Sequence, residues 1–154
     1  MEEENTNAAR EETAQEEVNS TLAGYSFPNA GRRYKAAVID GLFTAILFFI
    51  TGMAFVNFPE APTAVKVIAF FAVFTIYEPL MVTRGGTLGH RILGIRVKAA
   101  TRPTQNIPIG HAILRTLLKY NLGIINYIGM VNNELKQGFH DMAAGTIVIY
   151  TNPE

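Results

Sequence analysis

Hydrophobic residues in this chain are concentrated in two long blocks. The first runs from about Tyr34 to Phe58, and its last eighteen residues, 41–58, include no charged side chain. The second block, residues 67–83, contains a single charge at Glu78. A helix needs ~20 mostly apolar residues to cross the hydrocarbon core of a bilayer. Both blocks are therefore predicted to be membrane-spanning helices.

The segment PEAPT (59–63) joins the two blocks, and a connection this short predicts an antiparallel hairpin. Basic residues lie before the first helix (Arg32, Arg33, Lys35) and after the second (Arg84, Arg91, Arg96, Lys98, Arg102), whereas the connection is flanked only by Lys66. Loops rich in Lys and Arg remain in the cytoplasm. We therefore expect a multi-pass protein of the cell (inner) membrane with its N-terminus and C-terminus both cytoplasmic.

Two short stretches in the C-terminal half have the pattern of strands. GIRVKA (94–99) alternates apolar and basic residues, and GTIVIY (145–150) is rich in β-branched residues. We expect them to pair as a small two-stranded cytoplasmic β element.

Between the strands, residues 107–131 predict another helical segment. His111, Arg115 and Lys119 are spaced four apart, so they share one helix face. This is the pattern of a basic amphipathic helix in a membrane interface. Only fourteen uncharged residues follow Lys119, which favours an interfacial or re-entrant segment over a crossing. A third crossing is the alternative, and it would put the two strands on opposite sides of the membrane. The predicted fold class is thus a mainly α integral membrane protein.

Charge divides the chain, although its formal net charge is zero. Residues 1–17 carry a net charge of −6, and the remainder carries +6. We assign residues 1–26 to an acidic, disordered tail, 27–150 to the membrane domain and 151–154 to a C-terminal tail. The acidic start is unlike a cleaved secretory signal. With no cysteine, disulfides and thiolate metal sites are excluded. We expect no cofactor, no metal ion and no nucleic-acid partner.

Asp40 is the first candidate functional residue, because a charged carboxylate at mid-membrane costs ~2.5–3.5 kcal/mol even on lenient scales. Arg33 lies two turns earlier on the same face, ~10 Å along the axis, which permits only partial attraction. The small residues Ala37 and Gly41 nearby indicate a side that faces protein. Asp40 is interpreted as a carboxylate that handles a proton or cation, as a buried polar anchor for helix packing, or as a docking residue for a partner.

Glu78 is the second candidate. In an antiparallel hairpin it lies at a depth similar to that of Asp40, near the cytoplasmic side. Two carboxylates at one depth can bind a cation or share a proton. The alternative is that Glu78 pairs with Arg33, Arg84 or Arg91.

Two further motifs contain residue types that occur in nucleotide-binding or catalytic sites. GGTLGHRILG (85–94) lacks the spacing of a dinucleotide-binding GxGxxG sequence, so it is interpreted as a turn whose glycines permit close backbone approach. His140 and Asp141 precede the last strand without a nucleophile context, and an enzyme is not expected. Asp141 is predicted to cap a turn or to pair with Arg91 or Arg96.

Three motifs in order, RRYKAAVIDGL (32–42), GTLGHRILGIRV (86–97) and HDMAAGTIVI (140–149), resemble the RDD family of small bacterial membrane proteins over residues 27–150. The family is named for one arginine and two aspartates, which map to Arg33, Asp40 and Asp141. His90 departs from the family, which usually has lysine there. The resemblance implies an integral membrane protein, for which transport of unidentified ligands, including sodium/proton antiport, has been suggested.

Two hypotheses for function remain. The first is a small transport-related module that handles a monovalent cation or a proton through Asp40 and Glu78. The second is a non-enzymatic scaffold or accessory subunit, in which buried Arg, Asp and Glu side chains fix helix docking. Two spanning helices cannot enclose a path, so the expected partners are the lipid bilayer and either further copies of the chain or another membrane protein.

Overall fold

The computed structural model describes residues 20–123, 125–131 and 133–151, so most of the predicted acidic tail lies outside it. Two long helices dominate, α1 (Ala30–Val56) and α2 (Thr63–Thr83). Helix α1 begins at Ala30 because the Asn29 side chain accepts a hydrogen bond from the Arg32 amide at 2.9 Å. Each helix begins four residues before its predicted block.

Both long helices are apolar and long enough to cross a membrane, by length and composition. They pack against each other as a hairpin, yet large apolar side chains cover their outer surface. Leu42, Phe49, Ile68 and Phe71 are each more than 60% exposed. Large apolar side chains exposed next to one another are typical of surfaces that contact lipid or another protein.

A short helix, α3 (Leu88–Ile92), follows the second long helix and packs on α1. The contact is so close that a Cβ on Gly89 would lie 2.2 Å from the Ala36 carbonyl oxygen. The turn before α3 also needs glycine, since Gly86 has a φ of 149°. The prediction that glycines in this motif permit close backbone approach is confirmed.

The two predicted strands form and pair. β1 (Ile95–Ala99) runs antiparallel to β2 (Thr146–Tyr150), with Val97 opposite Val148. One face of this sheet belongs to a core cluster that reaches the hairpin through Ala36 and Val82. The sheet is therefore fixed at one end of the hairpin.

The other face of the sheet is covered by the segment that precedes α1. Leu22 is 3% exposed and packs with Ile147 and Ile149 of β2. Residues 20–26 had been assigned to the disordered tail, and for this part the assignment is wrong. Leu22 is buried because the apolar side chains of Ile147 and Ile149, on this face of the two-stranded sheet, need an apolar cover.

Three helices complete the described chain: α4 (Ile109–Leu122), α5 (Ile125–Ile128) and α6 (Phe139–Ala143). With 14 residues, α4 is shorter than the ~20 that a crossing needs. It packs against α2 and α6. Since the two strands pair, the alternative of a third crossing that separates them is wrong.

Candidate functional site

Asp141 is held by two arginines where α1, α4 and α6 meet. Arg33 Nη2 donates to Asp141 Oδ2, and Arg115 Nε donates to Asp141 Oδ1 at 2.8 Å. The Asp141 side chain is 0% exposed. The Gly138 amide also donates to Oδ2, at 3.2 Å, so Asp141 caps α6. The prediction of a capping role is confirmed, but the predicted partners Arg91 and Arg96 are wrong.

The charges around Asp141 fix its ionisation, and burial fixes that of His140 beside it. Burial alone would raise the pKa of Asp141, but the guanidinium groups of Arg33 and Arg115 outweigh it and hold the pKa well below its usual range. His140 Nε2 lies 3.3 Å from Asp141 Oδ1. Burial lowers the pKa of His140 to about 3, despite the attraction of Asp141. This centre therefore contains a permanent carboxylate beside a neutral imidazole.

Asp40 is bound differently, by neutral donors. The Thr87 hydroxyl donates to Oδ2 at 2.5 Å, and Oδ1 accepts from the Gly89 amide at 2.8 Å and the Tyr77 hydroxyl at 3.3 Å. The residue is 6% exposed. Within the described part of the chain, no basic side chain lies within salt-bridge distance of Asp40. Arg33, the partner considered from the sequence, is engaged with Asp141 instead.

Glu78 pairs with α4. Lys119 Nζ donates to Oε1 at 2.6 Å and the Tyr120 hydroxyl donates to Oε2 at 2.9 Å. Arg115 Nη1 lies 3.5 Å from Oε1. The predicted partners of Glu78, which were Arg33, Arg84 and Arg91, are wrong. Its actual partners belong to a helix that the sequence analysis had placed in the membrane interface.

The basic face of α4 is turned into the protein. Its residues do share one face, but Arg115 is 2% exposed and Lys119 contacts Glu78. His111 lies at the edge, with Nδ1 at 2.9 Å from the Ala144 carbonyl oxygen. The interpretation of Arg115 and Lys119 as part of an interfacial basic surface is therefore wrong, whereas His111 is exposed. The opposite, apolar side of α4 is exposed, because the basic side neutralises the acids of α2 and α6.

Two cavities border the carboxylates. A small one of about 20 Å³ is lined by Asp40 together with Arg33, Arg115 and His140. A larger one of about 340 Å³ lies between α1, α2 and α4, and Asp40, Glu78 and Lys119 border it. Asp40 is thus shared between an internal space the size of about one water molecule and a space large enough for a small ligand.

Sequence reasoning identified four of the residues that form this network, Arg33, Asp40, Glu78 and Asp141, and missed the neutral donors. Thr87 could have been found, because a threonine just before LGHR has the position of a helix N-cap, and its side chain does accept from the His90 amide. Nothing in the sequence marked Tyr77 or Tyr120. His90 is buried beside Thr87, and burial lowers its pKa well below the ordinary value. The position therefore contributes a neutral ring.

Comparison with known proteins gives one match. The sequence profile of the RDD family covers residues 27–145, which include both long helices and the whole polar network. Searches of curated proteins and of solved structures found no match. The profile covers well over half of the chain, so the resemblance to this family that was seen in the sequence is confirmed. With its two apolar helices and its small sheet, this chain belongs to the RDD family of membrane proteins.

Proposed function

We propose that the protein is a non-enzymatic, transport-related membrane module that binds a proton or a monovalent cation at Asp40. The single observation that carries the proposal is the position of Asp40. It borders both cavities, and its hydrogen-bond partners among the described residues are all neutral. A buried carboxylate without a bound cation retains an uncompensated negative field, which attracts a proton or a cation.

Lys119 and Glu78 are the groups that respond to a change of charge at Asp40. Both border the larger cavity, and both are close enough to Asp40 to interact with it electrostatically. Three cationic side chains belong to this network: Arg33, Arg115 and Lys119. Lys119 is the least buried of them, with 19% of its side chain exposed. In the proposed cycle, a cation at Asp40 repels the Lys119 ammonium and so strengthens the contact that Lys119 already makes with Glu78. When the cation leaves, Asp40 takes up a proton.

The proposal places both ends of the hairpin in the cytoplasm and requires more than one copy of the chain. Asp40 lies ten residues after the start of α1, or ~15 Å along the helix, so the site is nearer to the cytoplasmic end. Two helices cannot surround a path across the bilayer. The exposed apolar surfaces of α1 and α2 are the available surfaces for assembly.

The test is cation-driven proton movement in liposomes that contain purified protein and an internal pH-sensitive dye. We expect external sodium or potassium to change the internal pH with wild-type protein, and Asp40→Asn to abolish the response while the protein remains monodisperse in detergent. Glu60→Gln, which removes an exposed acid in the connection, is the matched control and should behave like wild type. A folded, oligomeric wild-type protein that gives no response would contradict the proposal.

A second candidate function is a scaffold whose polar network fixes helix docking. It is favoured by a continuous series of ion pairs, which runs from Arg33 through Asp141, Arg115 and Glu78 to Lys119. A scaffold predicts no flux under any condition. It also predicts that Asp40→Asn reduces the size of the assembly in detergent.

A further inference from the structure

The larger cavity has a shape and charge that the binding of a bare inorganic ion does not use. We infer that it binds an amphipathic organic cation, a molecule with an ammonium head at Asp40 and an apolar tail along α1. This inference rests on the proposed function, because it names the ligand class of the same carboxylate. Its volume of about 340 Å³ is at the lower end of the range found for small-molecule sites.

The cavity has a polar end and an apolar end. Asp40, Glu78 and Lys119 border the polar end. Ala45 and Phe48 extend the lining deeper along α1, up to eight residues or ~12 Å beyond Asp40. A ligand that fills this space therefore needs a polar head and an apolar body, because an apolar wall forms no hydrogen bonds with a hydrated ion.

The charge at the polar end selects a cation. Two carboxylates and one ammonium line the cavity, which is a lining charge of −1. Glu78 already contacts Lys119, whereas Asp40 accepts hydrogen bonds only from neutral donors in the part of the chain that the structure describes. A ligand ammonium at Asp40 would supply the counter-charge that this carboxylate lacks. An anionic head would meet two carboxylates instead.

Aromatic rings at the polar end are also arranged for a cation. Tyr77 and Tyr120 border the cavity, and the Lys119 ammonium lies 5.5 Å from the centre of the Tyr120 ring. That distance is within the range of cation–π attraction. The lysine shows that a positive nitrogen is accommodated over an aromatic ring in this cavity.

The rim of the cavity is open on the outer surface of the hairpin. Gly41 and Ala45 are exposed, and so is Tyr120. In a membrane this rim would face the lipid, and amphipathic molecules bind at the boundary between headgroups and acyl chains. A ligand of this class can therefore enter from the bilayer with its head toward the cytoplasmic side.

The test is equilibrium binding of radiolabelled 4-phenylbutylammonium to the full-length protein in lipid nanodiscs, with empty nanodiscs subtracted. The uncharged analogue 4-phenylbutan-1-ol tests the need for a positive head. We expect saturable binding of the ammonium compound and at least tenfold weaker binding of the alcohol. Asp40→Asn should weaken binding of the ammonium compound by at least tenfold, because it removes the counter-charge.

Ala45→Phe fills the apolar end and should also weaken binding by at least tenfold. Ala54→Phe makes the same change at an exposed position of α1 that does not border the cavity, and it should leave binding unchanged. Loss of saturable wild-type binding, equal binding of the alcohol, or equal effects of the two phenylalanine variants would each overturn the inference.

The comparison of the two compounds uses wild-type protein only, so it holds even where a variant fails to fold. Sodium- or potassium-driven proton flux without binding of the ammonium compound would overturn this inference and leave the proposed function intact. Saturable, charge-dependent binding without flux would overturn the transport proposal and support the ligand site.

Discussion

Asp141 and Asp40 are both buried carboxylates near one end of the hairpin, and they are held in opposite ways. Asp141 lies between two guanidinium groups and caps α6, so its negative charge is neutralised. Asp40 is surrounded by two hydroxyl groups and an amide, so its charge is solvated without being neutralised. Burial alone therefore does not distinguish the two acids, whereas the charge of their partners does.

The difference has an energetic basis. Removing one member of a buried ion pair leaves an uncompensated charge, which typically costs ~3–5 kcal/mol. A hydrogen bond from a neutral donor to a charged carboxylate contributes about 1.5–3 kcal/mol, and part of this is kept when an amide oxygen accepts the same bond. We therefore expect the Asp141 centre to determine whether the protein folds and the Asp40 centre to determine what it binds.

The largest expected effect is that of Asp141→Asn. The substitution leaves Arg33 and Arg115 buried with less counter-charge, and we expect a loss of about 3–5 kcal/mol in the free energy of unfolding. The measurement is thermal or denaturant unfolding in detergent, with Glu60→Gln as the control. A loss below about 1 kcal/mol would show that the two arginines find other partners and would remove the structural role from this centre.

Gly89→Ala should have the next largest effect, and it acts on the Asp40 side of the comparison. Its Cβ would lie 2.2 Å from the Ala36 carbonyl oxygen, so α3 must move away from α1 and its amide from Asp40. Overpacking of this kind costs about 1–3 kcal/mol. Gly110→Ala is the matched control, because a Cβ there meets nothing within 4 Å. Equal melting temperatures for the two variants would contradict the predicted contact.

Acid should destabilise the protein through His140, the neutral histidine that lies beside Asp141. The pKa of His140 is about 3 in the folded protein and 6.5 in the unfolded chain, so only the unfolded chain gains a proton as the pH falls through this range. The free energy of unfolding therefore decreases below pH 6.5, by on the order of 1 kcal/mol per pH unit for this residue. Asp141 contributes only below its ordinary pKa of 3.8.

His140→Gln should reduce this pH dependence between pH 6.5 and 4.5, and unfolding measured at intervals across that range checks it. His111→Gln, on an exposed residue of α4, is the control. An unchanged slope for His140→Gln would place the acid sensitivity elsewhere. The buried ring of His90, whose pKa is also lowered by burial, would then be the next residue to test.

The smallest effect on stability is expected for Asp40→Asn. The asparagine oxygen can still accept from the Gly89 amide, and its nitrogen can donate to the Thr87 hydroxyl oxygen. We expect a change below about 1 kcal/mol, although the same variant should abolish flux. If Asp40→Asn destabilises the protein as much as Asp141→Asn in the same unfolding assay, the distinction between the two aspartates is lost.

The sequence predicted the parts of the fold that depend on local patterns. Long apolar blocks indicated α1 and α2, and alternating or β-branched residues indicated the two strands. The close approach at Gly89 was also anticipated, because glycine lacks the side chain that would prevent it. The helices and strands could be predicted because each depends on residues close together in the chain. For Gly89 the sequence indicated a close approach but did not identify Ala36 as the partner.

By itself, then, the sequence determined the two apolar helices, the pair of strands and the membership of the RDD family, and it singled out Arg33, Asp40 and Asp141 as candidates. Only the tertiary structure decided the partners of those residues. Helical spacing showed that Arg115 and Lys119 share a face with His111, but the same spacing suits a face turned to lipid headgroups or to buried acids. The choice depends on how α4 packs against Glu78 and Asp141, which lie 41 and 26 residues away along the chain from their respective partners. Contacts over such separations are set by packing of the whole domain, and no local pattern records them.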